Sequence, residues 1–290
     1  MLVTRSEGAR LELECLDAPR EVRHQIAAFV ATDAPRRRAL ASLRQAVGAM
    51  VDEALPFDRP RGVKDHLSDG QLRPLWNAAY RRGSTSFTHD EKGYVVFDHL
   101  GRPIPPQMCV EMILDAYERA AGTWYQTQKR PRKRLVGSLD FRDLGIRNRA
   151  GVLGIETYAK SKPELFEASR FAPDERIRFK DRTRFFAYLV THADRFAPGD
   201  IIAIQGPKPD GYVHQHAILI EDVDPLTGFP HALVDHMKRP RRRTFERIMA
   251  EAPLRSLLYH LRPTPALLLR LDPERRDDAD ATMVSAIDGR

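Results

Sequence analysis

The stretch that most constrains the fold is the one after "APGD" at 197–200. Four apolar segments, "IIAIQG", "VHQHAILIEDV", "PHALVDHM" and "LRSLLYHLRP", follow one another between Ile201 and Pro263. Each is short and rich in Ile, Leu, Val or aromatic residues, and the breaks between them carry Pro, Gly and Asp, which is how strands joined by turns are written. The link "DPLTGFP" is short enough for an antiparallel hairpin between the second and third segments. A sheet is therefore expected in the last third of the chain. Its apolar side chains need covering by other elements.

The preceding residues supply helices. Val22, Ile26 and Phe29, then Leu40, Leu43, Val47 and Val51, recur at helical spacing, with a break expected at Asp33–Pro35. Residues 1–58 thus read as a helical N-terminal extension, closed by the linker "PFDRPRG". A short helix is expected within "DGQLRPLWNAAYRRG", and a strand over Tyr94–Phe97. From Cys109 onward Val110, Ile113, Leu114 and Tyr117 line one helical face, and Gly122 falls where a left-handed C-cap belongs. Residues 126–195 read as an Arg-rich, largely helical insertion containing "DRTRFFAYLVTHADRF". Residues 59–265 form the expected main domain, and 266–290 a polar tail without order. Helix first and sheet second makes the chain α+β. No internal repeat is visible.

Charge narrows the partners little. The 47 Lys and Arg exceed the 40 Asp and Glu, a formal net charge of +7 that favours anionic partners. The runs "KRPRKR" at 129–134 and "KRPRRR" at 238–243 contain no aromatic stacking platform, and no zinc-finger, RNA-recognition or Walker signature accompanies them. They read as solvated loops, and nucleic acid is not the expected partner. No apolar run is long enough to cross a membrane, and the first twenty residues lack the apolar core of an export leader. The two cysteines, Cys15 and Cys109, are too few for a disulfide framework. Cys15, in the alternating "LELEC", reads as structural.

Cys109 is different because of where it sits. The loop before it, "GRPIPPQM", has prolines at 103, 105 and 106, and the cysteine opens the helix. The unpaired N–H groups and the dipole of a helix N-terminus lower a thiol pKa. A neighbouring imidazole stabilises the thiolate and later protonates a leaving amine, and a third polar group fixes the tautomer of that imidazole. Alternation places His214 and His216 on one face of their strand, and the next strand ends in Asp235 and His236. Both histidines remain candidates for the base, and Asp235 and His236 for the orienting group. Of the two bases, His216 adjoins the core run "AILI" and His214 the "PKPDGY" loop. His99 and Asp98, just before the Pro-rich loop, are further candidates for the neighbourhood of Cys109.

The order is a cysteine opening a helix, "FAPGDIIAI", then "HAILIEDVDPLTGFPHALVDH". It resembles the NlpC-like and related papain-like cell-wall peptidases and amidases. The resemblance spans about residues 95–262 and implies a papain-like core, with the nucleophile helix packed on an antiparallel sheet. It also implies Cys109 as nucleophile, His216 as base and Asp235 as orienter, with His236 the rival third member, and no cofactor or metal. The implied substrate is a peptidoglycan stem peptide or cross-link, so a periplasmic or secreted site of action is expected. The family's Asp-Cys-Ser/Gly signature is replaced here by "Gln-Met-Cys-Val-Glu". Two other readings compete. One is a cupin-type metal site on His214, His216 and Glu221, although Glu221 has the opposite strand parity. The other is a non-enzymatic basic module for an anionic polymer.

Overall fold

The computed structural model describes residues 2–7, 10–15, 20–58, 70–207 and 213–274, with side chains from residue 33 onward. The chain opens with a hairpin of β1 (Leu2–Glu7) and β2 (Arg10–Cys15). Helices α1 (Arg20–Asp52) and α2 (Leu72–Arg82) follow, then a second hairpin of β3 (Ser86–His89) and β4 (Lys92–Val95). After α3 (Cys109–Ala120) come the short pair β5 (Trp124–Tyr125) and β6 (Arg134–Leu135), α4 (Val152–Ser161), β7 (Phe166–Arg170) and α5 (Arg182–Thr191). The last third holds β8 (Ile201–Pro207), β9 (Val213–Asp222), β10 (Ala232–His236), β11 (Pro240–Arg243), α6 (Phe245–Glu251), β12 (Ser256–Pro263) and α7 (Pro265–Leu269).

Six strands make one antiparallel sheet in the order β11-β10-β9-β8-β12-β7. The molecule is α+β, with seven helices among the described residues. Both faces of the central strands are buried, and alternation divides their side chains between two cores. Ile201, Ala203, Ala217 and Leu219 join α1, α3, α4 and α7 on one side. Ile202, Ile204, Ile218 and Ile220 join α5 and α6 on the other. Such two-sided burial is why these segments read as almost unbroken apolar runs.

Helix α3 lies under the first face and is buried nearly all round. Val110, Ile113, Leu114 and Tyr117 meet the sheet and α1. Asp115 and Glu118 turn instead to a buried cluster of arginines. Arg73 and Arg149 bind Asp115 at 2.8 and 2.9 Å, and Arg149 and Arg134 bind Glu118 at 2.8 Å each. Gly122 has φ +85°, the left-handed conformation expected at the helix end. The "GD" turn holds Gly199 at φ +90°, where its carbonyl accepts from the Tyr117 hydroxyl. The Asp200 carboxylate receives His260 at 2.7 Å and Arg262 at 2.9 Å.

Several segments depart from the sequence reading. Residues 2–7 and 10–15 form a strand pair, not helix, matching the alternation of "RLELEC". Helix α1 runs through Pro35 without ending there. A mid-helix proline costs about 3 kcal/mol, and here the following turns bury Ala39, Leu43, Val47 and Met50 in the main core. The C-terminal half of α1 is therefore part of the central packing, not an extension. Residues 126–195 are not an insertion apart from the core, because β7 is the edge strand on β12. Most of the run at 238–243 is not a loop, because residues 240–243 form strand β11, paired with β10. Past 265, Leu267, Leu268, Leu271 and Asp272 are buried, and Asp272 binds Arg38 at 2.8 and 2.9 Å. The side chains of Val22, Ile26, Phe29 and Cys15, part of the 56–62 linker, the "PKPDGY" loop from 208 and the tail from 275 lie outside what is described.

Candidate active site

Cys109 is the first residue of α3, and the chain reaches it along a fixed path. Phe57 and Gln107 form a parallel bridge, with Gln107 N–H donating to Pro56 O and Asp58 N–H to Gln107 O, each at 2.9 Å. The Gln107 amide, fully buried, donates to Asp115 at 2.5 Å. Glu111, in the third helical position, folds back to accept the Met108 N–H at 2.8 Å. The approach and the first turn of the helix are thus both held from the side chains of "Gln-Met-Cys-Val-Glu".

The sulfur of Cys109, half-buried, meets β9 where the sheet opens. Pairing of β9 with β10 ends at Leu219–Val234, after which β10 pairs only with β11 through Asp235 and His236. Ile220 exchanges hydrogen bonds with Gly199 and Asp200 beside β8, so odd-numbered residues of β9 present their N–H to the β10 side. The Ala217 N–H, left without a strand partner there, donates to the Cys109 sulfur, as does the Val110 N–H. The His216 side chain, whose parity sets it on the face opposite α3, hydrogen-bonds the sulfur.

His216 is 3% exposed, and its Nε2 lies 3.2 Å from Oδ2 of Asp235, which is 1% exposed. That leaves Nδ1 for the sulfur. Asp235 is gripped in turn by Arg241 at 2.9 Å and Arg243 at 3.1 Å. Burial pushes the Cys109 thiol up, but the His216 charge and the hydrogen bonds outweigh it and hold the thiol below its ordinary value. Burial likewise disfavours the His216 cation, yet Cys109 and Asp235 raise its pKa to about 9. Against its own burial, His216 and Arg241 bring Asp235 down to about 2. The three charges support one another: the imidazolium lowers the thiol and the carboxyl, and both of these raise the imidazole.

The remaining candidates fall elsewhere. His214 shares the face of His216, with ring centroids 6.4 Å apart, one step farther from the core. His236 has the other parity. Its Nε2–H donates to the Leu55 carbonyl at 3.2 Å, its ring packs on Phe57, and burial brings its pKa down to about 4. It is a neutral core histidine, not a third member. Glu221 also points away from His214 and His216, bound to Arg242 at 2.7 Å. Among the described residues no three His, Cys, Asp or Glu side chains gather as metal ligands. Asp98 closes the turn before the Pro-rich loop by accepting from Leu100 N–H, Arg102 N–H and the Arg102 side chain, and His99 is exposed.

Sequence reasoning missed the arginines that hold Asp235. The signal was present, because a tight hairpin after "HALVDH" sets Arg241 opposite Asp235 and Arg243 two residues along the same face. It also missed the Ala217 amide, for which no side-chain pattern exists. Comparison with models of protein families, with curated proteins and with solved structures found no match.

Proposed function

We propose that the protein is a cysteine hydrolase that cleaves an amide bond through Cys109, His216 and Asp235, on a papain-like core. The observation that carries this reading is the contact of the Cys109 sulfur with His216 and with two backbone N–H groups, at the start of a helix. One such donor is common, but a half-buried cysteine assembled with an imidazole and its carboxylate has little structural use. The thiolate attacks the amide carbonyl and forms a C–S bond. The carbonyl oxygen takes the negative charge, with the Cys109 N–H as its donor. The His216 proton passes to the leaving nitrogen as the C–N bond breaks. Water, deprotonated by the now neutral imidazole, cleaves the thioester to a carboxylic acid and restores the thiol.

The sequence resemblance adds the substrate class, a peptidoglycan stem peptide or cross-link, and with it a periplasmic or secreted site of action. The excess of basic residues fits an anionic polymer. The test is digestion of purified peptidoglycan, read as new amine and carboxyl termini. The wild-type protein releases them and Cys109→Ala does not, with no effect of a chelator. Full release by the alanine variant removes the nucleophile assignment. Loss on chelation points to the metal reading instead. A basic binding module predicts no new termini, and a Cys109 that reacts with iodoacetamide at neutral pH no faster than an ordinary thiol.

A further inference from the structure

At the end of the sheet next to the cysteine, one arginine stands apart from the rest. Arg241 and Arg243 are tied to Asp235, Arg242 to Glu221 and Arg262 to Asp200. Arg255, half-buried just before β12, has no hydrogen-bond or ion-pair partner for its guanidinium among the described residues. A cation taken out of water without a partner is unfavourable, and burial does hold the Arg255 pKa below the usual arginine value. Its charge nevertheless acts on both Cys109 and Asp235, so it lies within electrostatic reach of the reacting sulfur.

Strand register places it. Ser256, which opens β12, pairs with Gln205, and the residue before it, Arg255, has left the strand and lies over Gly206, which pairs with His214. Arg255, Gly206, His214 and His216 therefore share one face at one end of the sheet. The middle residue has no side chain, and none would fit. A Cβ on Gly206 would stand 2.6 Å from Leu254 O, 2.7 Å from Arg255 Cα and 3.0 Å from Arg255 Cγ. The Arg255 side chain thus starts directly over the glycine. The main chain around Arg255 is pinned, with its N–H donating to Ala252 O at 3.0 Å and its carbonyl accepting from Phe179 N–H at 2.8 Å.

We propose that Arg255 is a specificity-determining residue that receives a carboxylate of the substrate, over the floor made by Gly206 and beside His214 and His216. This rests on the cysteine-hydrolase reading and narrows it. The preferred substrate carries a free carboxylate a few bonds from the scissile carbonyl, on an acidic peptide rather than a neutral one. A guanidinium receives a carboxylate through two parallel N–H donors, so lysine is an incomplete substitute.

Alkylation of Cys109 tests this without knowing the substrate. Iodoacetate and iodoacetamide make the same C–S bond and expel the same iodide, but only the first carries a carboxylate. Second-order rate constants for both reagents are measured on the full chain, for wild type, Arg255→Ala and Arg255→Lys. Arg255→Ala should slow iodoacetate about tenfold, the equivalent of about 1.4 kcal/mol, and change iodoacetamide much less. Arg255→Lys should fall between the two. Acetate should protect Cys109 from iodoacetamide in the wild type and lose that protection in Arg255→Ala. An unchanged ratio of the two reagents in Arg255→Ala overturns the proposal, as does equal slowing of both while circular dichroism shows the fold intact. The cysteine-hydrolase reading fails separately, if iodoacetamide titrates wild-type Cys109 as an ordinary thiol.

Discussion

Asp235 lies one strand across from His216 and two residues along, level with Ile218, and its Oδ2 is 3.2 Å from the imidazole Nε2. On the proposed reading, that diagonal singles out His216 over His214 as the base. Residues two apart on a strand are separated by about 6.6 Å, so a carboxylate bonded to His216 does not hold His214 equally. His216→Ala should raise the pH at which Cys109 becomes alkylated towards the ordinary thiol value, and His214→Ala should largely spare it. The check is the iodoacetamide rate against pH in both variants. A shift confined to the His214 variant would make His214 the base.

Replacing Asp235 should affect activity and stability together. Asp235→Ala leaves the buried Arg243 and the half-buried Arg241 with only the exposed Glu251 as a carboxylate partner, and removing one side of a buried ion pair costs about 3 kcal/mol or more. It also withdraws the charge that favours imidazolium. Urea unfolding should show the loss of stability, and the alkylation profile of Cys109 a smaller upward shift than in His216→Ala. Unchanged stability would mean that Glu251 alone satisfies the two arginines.

His236 predicts an acid-sensitive fold. Its pKa is about 4 in the folded chain against an ordinary histidine value near 6.5. Between those values the unfolded chain binds the proton and the folded one does not, so stability falls as pH drops from about 6.5 to 4, by up to about 3 kcal/mol. His236→Gln keeps a donor for the Leu55 carbonyl and has no such proton to take up. Its stability should fall less over that window in urea titrations at stepped pH, and an equal fall would place the acid sensitivity elsewhere.

Glu111 works in the other direction. Burial first, offset in part by Arg73, lifts its pKa to about 8, while in the unfolded chain it ionises near 4.3. Its contribution is complete below about pH 4.3 and is lost as pH rises through 8, as the unfolded chain gives up its proton first. One carboxyl oxygen accepts from Met108, and the other is buried without a partner among the described residues. Glu111→Gln should be more stable than wild type at pH 8 and close to it near pH 5. A wild type still more stable than the variant at pH 8 would show Glu111 to be ionised and paired in the fold.

How far the sequence could be read depended on whether the stabilising interactions were local. The strands around Ile204, Ile218 and Val234 and the helix from Cys109 were legible because apolar periodicity records burial directly. So was the grouping of Cys109, His216 and Asp235, because parity and a short hairpin limit what can meet. Helix α1 was read as broken because proline propensity is local, whereas the burial of Leu43 and Val47 depends on residues far along the chain. Strand β11 looked like a solvated charge run. Its arginines have partners in Asp235, Glu221 and Glu251, and ion pairs between strands leave no period in the sequence. Arg255 was illegible for the converse reason, since a missing partner cannot be seen until all the others have been placed.

The open edge of β9 has a consequence for the chain as it is made. The thiol of Cys109 owes its lowered pKa to the His216 ring and the Ala217 amide, both of which leave the ribosome long after α3. Until β8, β9 and β10 have come together, the cysteine is an ordinary protonated thiol. On the proposed reading the chain is latent until its sheet closes, and the appearance of a fast-reacting thiol during refolding dates that closing.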